Sequence, residues 1–131
     1  VLTPLSILIV DDEIELATLF KNSIAAMGWD AISFTNSLLA FEYFKDNPNR
    51  FSLVITDLRM PGICGLELAK KIRELNDLVN IFLITAFDIS DLEASEAYQS
   101  AKIDKVIQKP IKLSILKRLI EDVLISEKGE K

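Results

Sequence analysis

Four points along this 131-residue chain carry side chains able to do chemistry together: Asp11-Asp12-Glu13, Asp57, Thr85 and Lys109. Each follows a short apolar run, as "ILIV" precedes the acids and "VIT" precedes Asp57. Three carboxylates about 5 Å apart, at an effective dielectric near 20, repel by about 3 kcal/mol per pair and about 10 kcal/mol together. That is comparable to the whole stability of a domain, about 5 to 15 kcal/mol. Such a cluster raises a carboxyl pKa or takes a hard divalent cation. The chain has no histidine, and an all-oxygen donor set favours Mg2+ or Mn2+ over Zn2+. With a cation on Asp12 and Asp57, one Asp57 oxygen stays free to attack phosphorus and form an aspartyl phosphate. Lys109 would then pair with one phosphoryl oxygen and the Thr85 hydroxyl would donate to another, with the small Ala86 leaving room beside them.

Each residue also has an ordinary structural use. Asp57 precedes the turn signal Pro61-Gly62 and suits a strand end. Asp11-Asp12 could cap the helix that follows, Thr85 could cap another, and Lys109 could be a solvated surface residue. The coincidence of all four at strand ends favours the chemical reading.

The elements that must position them are legible from hydrophobic patterning. Short apolar runs predict strands at 6 to 10, 31 to 34, 52 to 56, 80 to 84 and 105 to 108. Between them, Leu16, Phe20, Ile24 and Met27 keep a helical spacing that stops at Gly28; Leu68, Ile72 and Leu75 keep another. A third stripe is Leu113, Leu116, Ile120, Val123 and Leu124. Weaker helices are expected over 36 to 46 and 89 to 100. Continuous apolar strands imply burial on both faces, hence a doubly wound five-stranded parallel sheet with helices on both sides, a flavodoxin-like (βα)5 fold. In such sheets ligands bind at the carboxyl ends of the strands, near the point where strand order reverses.

Bulk composition excludes several classes. Half of the residues are hydrophobic, 27% are charged and the net charge is −5, so one domain can close a core and direct nucleic-acid binding is disfavoured. Mean hydropathy is +0.27, yet no apolar run approaches the roughly 20 residues of a membrane span. Cys64 is the only cysteine, which forbids an internal disulfide and suits a reducing compartment. "VLTPLS" lacks the pattern of an export signal, so a cytoplasmic location is expected. The domain is expected over 1 to 125, with 126 to 131, "SEKGEK", a polar tail or the start of a linker.

The ordered set "LIVDDE" (8 to 13), "ITDLRMPG" (55 to 62), "LITA" (83 to 86) and "QKP" (108 to 110) closely resembles the receiver domain of two-component response regulators, over roughly residues 5 to 125. The resemblance implies that Asp57 is the phosphoacceptor, served by a histidine kinase or histidine phosphotransfer protein. It further implies Mg2+ held directly by Asp12, through water by Asp11, and by Asp57 and the backbone carbonyl of Arg59. Thr85 and Lys109 would follow the phosphoryl group, Pro110 would support the Lys109 loop through a cis peptide bond, and Arg59 and Phe87 would flank the site. The domain would be a transiently phosphorylated signalling module rather than an enzyme.

Three positions depart from the family pattern. Val106 replaces a usual aromatic switch residue, Lys102 a usual glycine, and Cys64 a usual acid after "MPG". Phosphorylation would pull Thr85 and Lys109 inward and shift a face formed by about 88 to 125. Ile115 and Leu119 widen the apolar surface of the last helix there, which leaves open a homodimer, an output domain or an effector protein. Rival readings are a non-phosphorylated pseudo-receiver acting as a binding module, an aspartate-nucleophile phosphatase, and a flavodoxin-like cofactor carrier. The phosphatase reading is weakened by Arg59 where a second Asp is needed, the carrier reading by "DDE" where a phosphate loop is needed.

Overall fold

The strand β1 (Ser6–Val10) is buried at every position, and its side chains alternate between two cores. Ile7 and Ile9 enter one core, with Leu53, Ile55, Phe82 and Ile84. Leu8 and Val10 enter the other, with Val54, Ile81 and Leu83. Period-two alternation with both faces apolar is what a central parallel strand requires.

The structure, a computed structural model, describes residues 6 to 86 and 89 to 129. Residues 1 to 5, Phe87, Asp88 and the last two residues lie outside the described ones, and with them the expectation that Phe87 flanks the site. Among the described residues the order continues as α1 (Ile14–Ala26), β2 (Asp30–Phe34), α2 (Ser37–Asp46), β3 (Phe51–Asp57), α3 (Gly65–Leu75), β4 (Asn80–Thr85), α4 (Ile89–Glu93), α5 (Glu96–Ala101), β5 (Lys105–Gln108) and α6 (Leu113–Gly129). The five strands form one parallel sheet in the order β2-β1-β3-β4-β5. Phe20 and Ile24 of α1 and Leu116, Ile120 and Leu124 of α6 cover one face. Ala40 and Phe44 of α2, Leu68 and Ile72 of α3 and Ala101 of α5 cover the other. This is the doubly wound fold expected.

Four details differ from the patterning. The weak helix over 89 to 100 is two short helices, because Ser95 interrupts it. Its hydroxyl donates to the Leu92 carbonyl (2.9 Å) and accepts from the Tyr98 amide (3.1 Å), capping α5, a local competition that serine offers the helical backbone. Leu75 closes the α3 stripe in sequence but is 41% exposed, since α3 ends there and its last turn overhangs the core. In α6, Leu119 packs against the core while Ile115 stays 46% exposed, so only part of the extra apolar surface faces outward. The helical backbone also continues to Gly129, four residues into the stretch expected as a tail.

Arg73 of α3 braces the sheet edge opposite the strand carboxyl ends. Its buried guanidinium donates to the carbonyls of Val79 (2.6 Å), Ala101 (2.9 Å), Lys102 (2.9 Å) and Asp77 (3.1 Å). A guanidinium fork can satisfy several buried carbonyls at once, which its planar donor geometry suits. The Ala101 and Lys102 carbonyls belong to the turn in which Lys102 adopts φ +51° and ψ +56°. That left-handed conformation is why glycine suits the position: a side chain there costs about 1 kcal/mol or more. We expect Lys102→Gly to stabilise the domain by about 1 kcal/mol in urea unfolding, since the Lys102–Asp77 ion pair it removes is exposed on both sides and contributes little.

Candidate functional site

The strand order reverses between β1 and β3, and their register sets the site. Val10 lies opposite Thr56, so Asp11 and Asp57 are neighbours at the carboxyl edge. The amide of Asp11 donates to the Phe34 carbonyl of β2 (3.1 Å), and the Leu58 amide donates to the Ile84 carbonyl of β4 (2.9 Å). Thr85 lies opposite Gln108, and the next amide, that of Lys109, donates to the Thr85 carbonyl (2.8 Å). All five strand ends are thereby locked in step.

This register brings the carboxylates together. One oxygen each from Asp11, Asp12 and Asp57 falls within a 4.8 Å cluster that could hold a metal ion. Asp11 and Asp57 are buried and Asp12 is exposed, so the cluster opens to solvent on one side. The Lys109 ammonium lies 2.8 Å from Asp57 Oδ1 and 3.9 Å from a Glu13 carboxylate oxygen. Thr85 is buried on β4 beside an exposed Ala86. Glu13, Leu16, Ala86, Lys109, Pro110 and Ile111 line an open groove against the cluster.

The remaining expected residues sit as follows. Arg59 is exposed in the loop between β3 and α3, two residues beyond Asp57. Val106 is half-buried on β5 opposite Leu83, and it brings no ring to the Thr85 side of the sheet. The Lys109-Pro110 peptide bond is cis, as the resemblance implies. The structure leaves the capping reading of Asp11 without support: α1 begins after Glu13 with no side-chain cap. Asp11 Oδ1 instead accepts from the Glu13 amide at 2.9 Å, ahead of the first helical residue, Ile14.

Charge states follow from this crowding. Burial first, and then the negative charge of Asp57, push the Asp11 carboxyl up to about 6 against the hydrogen bond from the Glu13 amide. Burial alone would depress the Lys109 ammonium, but the hydrogen bond and attraction of Asp57, with Asp11 and Glu13, hold it above the ordinary lysine value. The site therefore has one fixed cation and a residual excess of negative charge.

Patterning missed Gly65. Its amide donates to the Leu58 carbonyl at 2.7 Å, and a Cβ there would stand 1.9 Å from the Asp57 carbonyl oxygen. Only a glycine lets α3 start this close to the strand end. Its spacing after Asp57 was visible, but the close approach is a tertiary fact.

A family model for the response regulator receiver domain matches residues 7 to 121. The response regulator receiver protein CpdR of Brucella abortus is 32% identical over 121 residues, 92% of this chain and 97% of that protein. The transcriptional regulatory protein ZraR of Klebsiella oxytoca is 30% identical over 118 residues, and there the match covers 90% of this chain but 26% of the relative. Among solved structures, response regulator protein TrrA from Thermotoga maritima, in complex with Mg(2+)-BeF, is 29% identical with a TM-score of 0.77, covering 91% of this chain and 98% of that one.

The Asp11 shift fixes a pH dependence for the metal-free protein. Between about pH 4 and 6 the folded Asp11 holds a proton that the unfolded chain has released, so stability falls as pH rises through this window. From an ordinary 3.8 to about 6, the loss amounts to about 3 kcal/mol. Urea unfolding in chelator at pH 4 and pH 7 should show Asp11→Asn gaining about that much relative to wild type at the higher pH; parallel pH profiles would contradict it.

Proposed function

This chain belongs to the response regulator receiver domain family, the signalling modules of two-component systems, and from that membership we propose that it accepts a phosphoryl group on Asp57 from a histidine kinase or histidine phosphotransfer protein. The observation that carries this reading is the Lys109 ammonium 2.8 Å from Asp57 Oδ1 at the edge of the three-carboxylate cluster. A nucleophile, its charge partner and a set of hard oxygen donors meet at one opening.

In the transfer, an Asp57 carboxylate oxygen forms a bond to phosphorus as the phosphorus–nitrogen bond of the donor's phosphoimidazole breaks. The electron pair stays on the imidazole nitrogen, and the product is an aspartyl phosphate. Asp11, Asp12, Asp57 and the Arg59 carbonyl would hold Mg2+ or Mn2+; their all-oxygen chemistry and unrelieved negative charge fit such a cation. When bound, the cation neutralises charge on the phosphoryl oxygens. Lys109 steadies Asp57 before transfer and follows the charge outward onto a phosphoryl oxygen afterward. The buried Thr85 hydroxyl would donate to another, with the small, exposed Ala86 beside it. That the Thermotoga relative was solved in complex with Mg(2+)-BeF supports a magnesium-dependent reading.

The new charge draws Thr85 and Lys109 together, and the following segment, about 88 to 125, carries the change to an output domain, an effector protein or a second copy of the chain. Val106 moves this switch away from ring rotation and toward displacement of the β4–α4 segment itself. The domain works as a phosphorylated signal and assists its own phosphoryl transfer and hydrolysis, in the cytoplasm with its kinase.

Incubation with acetyl phosphate and Mg2+ should add one phosphate by mass spectrometry, abolished by Asp57→Asn and slowed about 100-fold by Lys109→Ala, the scale of removing one preorganised charge partner. No adduct on wild type would leave the chain as an unphosphorylated binding module, and one that persists in Asp57→Asn would overturn Asp57 as the acceptor.

A further inference from the structure

Ser37 is the first residue of α2, is fully buried and lies outside all four chemical motifs. Its hydroxyl reaches across to the loop between β3 and α3, donating to the Pro61 carbonyl (3.2 Å) and accepting from the Ile63 amide (3.2 Å). The intervening Gly62 has φ +87°, and a Cβ there would lie 3.1 Å from the Ser37 oxygen. The hydroxyl thus closes the turn at Pro61-Gly62-Ile63 in place of a backbone partner.

The other side of the same loop is held to the sheet. Leu58 is tied to Ile84 of β4 (2.9 Å), and Gly65 returns to the Leu58 carbonyl (2.7 Å). Arg59 therefore stands between an anchor on β4 and an anchor on α2. Ser37 is itself held in place by its neighbour: the Asn36 side chain caps α2 by accepting from the Leu39 amide at 3.0 Å.

We propose that Ser37 is a positioning residue for the divalent cation: by clamping Pro61 and Ile63 it fixes the Arg59 carbonyl in the direction that ligation requires. The inference rests on the phosphoacceptor reading of the site. It deepens that reading by making α2, a helix with no residue in the cluster, part of its supporting shell. Supporting contacts of this kind change metal affinity without touching the metal.

Two readouts test it. In metal-free protein, amide exchange at Ile63 should be at least tenfold faster in Ser37→Ala than in wild type, because the amide loses its acceptor. In titrations with Mn2+ followed by electron paramagnetic resonance, Ser37→Ala should bind about tenfold more weakly. Asn76→Ala is the control for general destabilisation, since the Asn76 side chain holds a loop at the opposite edge of the sheet, accepting from Leu78 and Val79 and donating to Pro48. It should leave the Mn2+ affinity unchanged. Equal Mn2+ binding by wild type and Ser37→Ala, or an equal loss in Asn76→Ala, overturns the inference alone. A wild type that binds no Mn2+ overturns the reading of the site and this inference with it.

Discussion

Mutual repulsion among Asp11, Asp12 and Asp57, gathered within 4.8 Å, is the constraint around which the rest of the structure is organised. The domain spends stability to hold them, since nothing in packing or secondary structure needs three acids at one strand edge. Lys109 offsets part of the repulsion through Asp57, and protonation of Asp11 offsets more at low pH. What remains is an excess of negative charge, which the proposed cation would relieve.

Holding that cluster takes rigidity on every side. Two apolar cores clamp the sheet from both faces, so the registers of β1, β3, β4 and β5 cannot slip by one residue without turning core side chains outward. Gly65 lets α3 begin against the Asp57 carbonyl, and Arg73 ties down the turns at the far edge. Beyond β4 the chain forms two short helices, α4 and α5, in place of one long one.

Much of this was legible in the amino-acid sequence because the signals are local. The five strands announce themselves as apolar runs, and the chemical residues stand at their ends, so a parallel sheet brings them together by topology alone. The family motifs made the roles of Asp57, Thr85 and Lys109 readable as a set. What patterning could not supply is distance across the fold. Gly65, Arg73 and Ser37 belong to none of the quoted motifs or apolar stripes; each acquires its role only from a backbone segment some distance away in sequence. The division of 89 to 100 was also hidden, since a single serine there outweighs a weak helical period.

The central claim is that the cluster is a cation site paid for in stability, and calorimetric unfolding with and without Mg2+ tests it most directly. At Mg2+ about 100-fold above its Kd, mass action should add about 2.7 kcal/mol, raising the unfolding midpoint by roughly 5 to 10 °C for a domain of this size, with the rise lost in Asp12→Asn. A midpoint indifferent to millimolar Mg2+, or an equal rise in Asp12→Asn, would contradict the account.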